Sequence, residues 1–139
     1  MSIRSINPAN NQLVKEYEAH SPEQVNQIIT AVEEAWHVWR LKSFPERAKP
    51  MLNAAKILRT RKQEFAELMA LEMGKPVSQG IGEIEKCASV CEYYAEKAEA
   101  FLTNEQIETD ASKSFVTFQP LGIVLAIMPC NFPFWQVFR

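Results

Sequence analysis

Cysteine and histidine are scarce in this chain, and the scarcity removes several function classes at once. Three cysteines, an odd and small number among 139 residues, build no disulfide framework and fit a reducing cytoplasm. Only His20 and His37 supply imidazoles, and neither stands at ligand spacing from a cysteine, so a structural zinc site is not expected. No apolar run approaches the ~20 residues that span a bilayer. The opening residues, with Asn7, Pro8, Asn10 and Asn11, are too polar for a secretory signal. There is no excess of positive charge. The net charge is −2, and the densest basic cluster, Arg59–Lys62, reads as a solvated helix end, so a nucleic-acid partner is not expected. What remains, 47% apolar and 23% charged residues, is ordinary globular composition. A chain of this length can bury on the order of 70% of its unfolded surface.

Ser2–Ile6 and Gln12–Tyr17 read as short strands around the turn-rich Asn7–Asn11, a hairpin. Ser21-Pro22-Glu23-Gln24 is a capping-box pattern with proline at the first helical position. The helix it opens carries Val25, Ile28, Ile29, Val32, Trp36 and Trp39 on one stripe and is expected to end near Leu41. A second helix starts at Ser43–Pro45 with Leu52, Ala55, Ile57 and Leu58 as its apolar face. Pro50 costs about 3 kcal/mol inside such a helix, which predicts a kink or a start moved to Lys49. A third helix holds Phe65, Leu68, Met69 and Glu72 and stops at Gly74. The longest periodic segment is Pro76–Leu102. There Val77, Ile81, Ile84, Ala88, Cys91, Ala95, Ala98 and Leu102 recur at spacings of four and three, a narrow buried seam. Thr103–Ser112 reads as polar connection, Ser114–Gln119 as a strand, and the apolar Leu121–Ile127 as a buried strand.

Gly80-Ile81-Gly82 lacks the third glycine and the preceding strand of a dinucleotide fingerprint, so small residues on a packed helix are the better reading. In Gly74-Lys75-Pro76 a proline stands where a phosphate loop needs a hydroxyl. Cys87 and Cys91, four apart on one helix, read as buried structural thiols. Cys130 adjoins the turn at Pro129, but no histidine lies nearby in sequence to activate it. Asn131 carries more chemistry. It follows the buried-strand candidate, and Pro133 then re-enters a helix, which puts an uncharged amide at a strand's carboxyl end, where open α/β sheets bind ligands. Such an amide can donate to a developing alkoxide without titrating. Trp135 and Arg139 follow at spacings of four, on the same helical face, and Gln136 follows Phe132 on the neighbouring one. The same spacing also suits a turn asparagine followed by core aromatics.

Pro120-Leu121-Gly122-Ile123-Val124 followed by Ile127-Met128-Pro129-Cys130-Asn131-Phe132-Pro133 resembles the signature of the aldehyde dehydrogenase superfamily, Pro-x-Gly-Val and then Ile-x-Pro-Trp-Asn-Phe-Pro. Leu71-Glu72-Met73-Gly74-Lys75-Pro76 with Glu83-Ile84 resembles the family's Glu-x-Gly-Lys-Pro segment, and Ser5-Ile6-Asn7-Pro8-Ala9 its opening. The run from Asn131 to Arg139 is most similar to the succinate-semialdehyde-oxidising branch. The resemblance implies NAD- or NADP-dependent oxidation of a small aldehyde to the acid. A cysteine thiolate adds to the aldehyde, hydride leaves for the nicotinamide, and a glutamate-activated water releases the acid. It implies that Asn131 holds the substrate oxygen and that Ile127, Met128, Pro129, Cys130 and Asn131 run along the cofactor. Phe132, Trp135 and Gln136 then line the aldehyde tunnel, and Arg139 pairs with a distal carboxylate, for which an arginine fork is well shaped. Ser114–Gln119 matches the strand through which family members form homodimers or homotetramers. Two departures stand out. Cys130 occupies the family's tryptophan position, and none of Cys87, Cys91 or Cys130 matches the nucleophile.

The fold class expected is therefore α/β: the N-terminal part of a Rossmann-like cofactor-binding domain, helix-rich in this span, plus one strand of an oligomerisation hairpin. Residues 1–112 form the helical part, 113–120 the oligomerisation strand, and 121–139 the first cofactor-domain strand with the start of the next helix. The catalytic domain lies outside the span, and these residues alone are expected to catalyse nothing. The alternative from a different class is a non-catalytic helical binding or assembly module that uses the Pro76–Leu102 seam and the Phe115–Phe118 strand.

Overall fold

A computed structural model describes residues 2–139. Among them the chain forms β1 (Ser2–Ile6), β2 (Leu13–Glu18), α1 (Pro22–Trp39), α2 (Phe44–Thr60), α3 (Lys62–Met73), α4 (Val77–Phe101), β3 (Glu105–Gln106), β4 (Phe115–Val116) and α5 (Trp135–Phe138). β1 and β2 pair antiparallel as the hairpin the sequence predicts, with the register slipping between Ser5 and Ile6. Asn11 takes the left-handed conformation (φ 57°), which a short polar side chain tolerates, and the Asn7 amide donates to the Gln12 carbonyl at 2.9 Å. Ser5 Oγ donates to Glu72 Oε1 at 2.9 Å and ties the hairpin to α3.

α1 and α2 both start at complete capping boxes, Ser21 with Gln24 and Ser43 with Glu46. The second box bears out the start at Ser43–Pro45 and excludes the alternative start at Lys49. α2 begins at Phe44 and continues through Pro50, because a fully capped first turn and a buried face outweigh the loss of one backbone hydrogen bond. α3 ends at Gly74, whose φ of 75° is the left-handed cap that glycine adopts without strain.

The core sits where α2 and α3 pack on α4. It comprises Ala55 and Leu58, Ala66 and Met69, and Ile84, Cys87, Ala88 and Cys91. A Cβ on Gly80 would stand 2.9 Å from the Ala66 Cβ, so the small residue is what lets α4 approach α3. Arg59 of α2 reaches both Glu85 and Glu92 of α4, and Lys62 also reaches Glu85 (Nζ–Oε1 2.6 Å). These exposed pairs brace the seam without deciding it.

Several expectations fail here. Leu52, Ile57 and Leu68 are exposed rather than core, because α4 covers only one side of α2 and α3. The α1 stripe buries none of its residues. The strand expected over Ser114–Gln119 is confined to Phe115–Val116, and it pairs with Glu105–Gln106, inside the stretch read as connection. Leu121–Ile127 forms no strand: Leu121 is 97% and Ile127 82% exposed. A buried strand needs neighbours on both edges, and no described residue bonds to the backbone of Pro120–Cys130. The helix expected from Pro133 starts only at Trp135 and is four residues long. The exposed area, 10754 Å², is well above the ~7,400 Å² expected of a compact monomer of this mass, so the predicted 70% burial is not reached.

Candidate functional site

The site begins at the end of α3. Gly74 turns the chain, Pro76 opens α4, and Lys75 between them is directed inward, its side chain 6% exposed. Two turns along α4, Glu83 lies on the buried face with Gly80, Ile84 and Cys87, its side chain 1% exposed. The two form a buried ion pair between Lys75 Nζ and Glu83 Oε2. Such a pair is costly to desolvate unless its remaining hydrogen-bonding capacity is filled. Here it is filled by one short segment. Lys75 Nζ donates to the backbone carbonyl of Asn131 at 3.0 Å and lies 4.1 Å from the centroid of the Phe132 ring. Glu83 Oε1 accepts from the backbone amides of Phe134 and Trp135, each at 2.9 Å. The turn from Asn131 to Trp135 is thus gripped from both sides.

On that turn Asn131 is exposed, and its carboxamide makes no hydrogen bond among the described residues, while its own carbonyl is held. The amide is free to bind something else. Phe132 and Trp135 line an open groove of about 340 Å³ with Gln79, Gly82, Glu83 and Lys86, whose Nζ sits 3.9 Å from the Trp135 ring centroid. On the other side, Met128, Cys130, Pro133 and Phe134 line a cavity of about 570 Å³ with Leu68, Met69 and Met73. Phe134 packs on Phe65, centroids 5.3 Å apart.

The structure separates residues that sequence spacing brings together. Because α5 starts late, Asn131, Trp135 and Arg139 do not share one helical face. Arg139 lies in a third groove, with Arg47, Met51, Tyr94 and Phe138. Gln136 lines none of these three, and its amide donates to the Phe132 carbonyl at 3.3 Å. Ile127, Pro129 and Cys130 are exposed and Met128 half-buried, in a segment without regular secondary structure that turns at Cys130. Its backbone groups make no hydrogen bond among the described residues.

Sequence reasoning missed Lys75 and Glu83 as parts of the site. The signal was present. A carboxylate three residues after Gly80 and four before Cys87 falls on the buried face of α4, and a buried carboxylate requires a partner. Cys87 and Cys91 are structural, as their spacing suggests. Burial, with Glu83 adding to it, pushes the Cys87 thiol up to about 12, and burial raises Cys91 as well. Both are expected to resist iodoacetamide at neutral pH while the protein is folded, and peptide mapping after labelling checks it; fast modification of either would show the core open. Among the described residues no group of three His, Cys, Asp or Glu could hold a metal, and no helix is long and apolar enough to cross a membrane.

The model of the aldehyde dehydrogenase family matches residues 1–139. A probable succinate-semialdehyde dehydrogenase [NADP(+)] of Synechocystis is 50% identical over 139 residues, all of this chain and 31% of that protein. A succinate-semialdehyde dehydrogenase [NADP(+)] of Mycobacterium leprae is 41% identical over 142 residues, again 31% of its length. The chain therefore spans under a third of these relatives. The crystal structure of succinic semialdehyde dehydrogenase from Streptococcus pyogenes with NADP+ superposes with a TM-score of 0.92 at 29% identity, covering 97% of this chain and 30% of that one. The fold class is thereby the expected one, the helix-rich N-terminal part of a Rossmann-like α/β protein.

Proposed function

Since the chain belongs to the aldehyde dehydrogenase family, we propose that the complete protein oxidises an aldehyde to its carboxylic acid with NAD or NADP, and that its substrate is succinate semialdehyde. The observation that carries this reading is the exposed Asn131 carboxamide on a clamped turn, next in sequence to Phe132, which lines a largely apolar groove, in a chain similar along its whole length to succinate-semialdehyde dehydrogenases. The amide N–H donates to the carbonyl oxygen, favours the form in which that oxygen gains negative charge, and holds the carbonyl carbon in place. Phe132 and Trp135 exclude water from one side. Ile127–Asn131 would hold the nicotinamide cofactor, which when bound supplies the hydride acceptor. The Cys130 side chain, smaller than the family's tryptophan, leaves the cavity beside Met128 open.

The nucleophile and general base belong, on this reading, to residues beyond these 139, and these residues alone do not turn over. The exposed α1 stripe and the 120–126 segment, unpaired among the described residues, then pack against the remainder of the protein, and β4 lies at a homo-oligomer contact. The testing experiment is cofactor reduction by the complete protein across a panel of acidic and neutral aldehydes, with NAD and NADP in parallel. Rapid reduction with succinate semialdehyde is the expected result; no reduction with any aldehyde under either cofactor would refute the proposal.

Arg139 is proposed to meet the distal carboxylate from its groove, where Arg47 adds a second guanidinium. Arg139→Leu is then expected to raise KM for succinate semialdehyde far more than for a neutral aldehyde of similar length. Equal changes for both would remove Arg139 from the substrate site.

A further inference from the structure

We propose that the buried Lys75–Glu83 pair is a positioning device that fixes the direction of the Asn131 carboxamide; this rests on the function proposed above. The pair is built for that segment. Its hydrogen bonds outside the ion pair all go to the Asn131–Trp135 turn: the Asn131 carbonyl, and the Phe134 and Trp135 amides. Lys75 lies in the α3–α4 junction and Glu83 on the buried face of α4 about two turns on, so the turn is referenced to the most buried part of the fold rather than to its own loop.

The geometry explains why a charged pair suits this place better than an apolar one. The segment before Asn131 makes no backbone hydrogen bonds, and the helix after it is only four residues long. Neither neighbour can hold the Asn131 peptide plane. A lysine on the Asn131 carbonyl and a carboxylate on the amides of Phe134 and Trp135, three and four residues further on, hold the turn at both of its ends. Cation and anion also hold each other, since Nζ and Oε2 meet directly. A side-chain amide must sit within a fraction of an ångström of the carbonyl oxygen it stabilises, and about 1 Å of misplacement can cost roughly 10²-fold in rate. Lys75 and Glu83 form part of the wall of the groove beside Phe132 and Trp135, and the role assigned to them here is exerted through Asn131.

The test uses the complete protein with Lys75→Met and Glu83→Gln, each alone and combined with Asn131→Ala. Glu83→Gln keeps an acceptor for the two amides while removing the charge, and it serves if Lys75→Met does not fold. Each single variant is expected to lower kcat by about 10²-fold with KM for the aldehyde nearly unchanged. In the Asn131→Ala background the same change is expected to cost little further, because the group being positioned is gone. Full multiplication of the two losses would mean the pair is merely structural and overturn the inference. Hydrogen exchange gives a readout independent of activity: amides in Asn131–Trp135 are expected to exchange faster in both variants, with the rest of α4 unchanged. Unaltered exchange there overturns the inference even if rates fall. An unchanged kcat in Asn131→Ala alone would instead defeat the functional reading, leaving the exchange result to decide whether the pair holds the turn.

Discussion

Asn131→Ala in the complete protein is expected to lower kcat by about 10²–10³ while leaving cofactor affinity nearly unchanged. The reasoning is local. The asparagine backbone is held by Lys75, so removing the carboxamide should not release the turn. The side chain is exposed and makes no hydrogen bond among the described residues, so the folded protein loses no internal contact. On the proposed function, what disappears is a donor to the oxygen that becomes negative, and that interaction strengthens only as the reaction proceeds. The loss therefore belongs in kcat rather than in KM. Steady-state kinetics with succinate semialdehyde, together with a direct cofactor-binding titration, checks both halves. A wild-type rate would exclude the amide from the reaction, and a matching loss of cofactor affinity would show that it acts through the cofactor pocket.

Ile84→Ala is expected to be the most damaging single truncation for stability, by about 2–5 kcal/mol, with Ile84→Val costing about 0.5–1.5 kcal/mol. Ile84 is fully buried between α4 and the two helices packed on it, among Cys87, Ala88 and Met69. The neighbours are mostly small and already close: Gly80 leaves no room for a Cβ against Ala66. Helices packed on such small side chains cannot move inward to refill the space, so the cavity term is added to the lost burial. Denaturant unfolding of the complete protein reads the change. Equal midpoints for wild type and Ile84→Ala would show that the α2–α4 core does not limit stability.

The residues that the sequence places correctly are those whose environment is set within one or two turns. Ser21 with Gln24 and Ser43 ahead of Glu46 announce helix starts, because the cap and its reciprocal partner are three residues apart. Gly74 announces a stop through its own backbone freedom. Ile84, Ala88 and Cys91 fall on the seam at helical spacing. Leu121–Ile127 misleads for the opposite reason. Its composition describes a surface that must be covered, but covering requires strands from elsewhere in sequence, and none of the described residues provides them. The α1 stripe misleads in the same way: amphipathicity tells which face wants a partner and not which partner is present.

The candidate site divides along the same line. Asn131 was legible as a candidate donor and Phe132 and Trp135 as aromatic walls, of which the two aromatics line the groove, and the family motif was legible as a run of contiguous residues. Their arrangement was not. A helix from Pro133 would have put Arg139 on the Asn131 face, whereas the amides of Phe134 and Trp135 are claimed by Glu83 and the helix starts later.

Local order in the chain thus determined the caps and the buried positions of α4 around Ile84, Ala88 and Cys91, and it singled out the Asn131 carboxamide as a candidate donor, since each depends on neighbours a few bonds away. Only the tertiary structure decided what holds that amide in place. Lys75 lies 56 residues from Asn131, and Glu83 lies 51 and 52 residues from the two amides it accepts from. No spacing rule reaches that far. Such contacts form because a charge driven into the interior must find every available polar partner there, and folding alone determines which backbone groups those are.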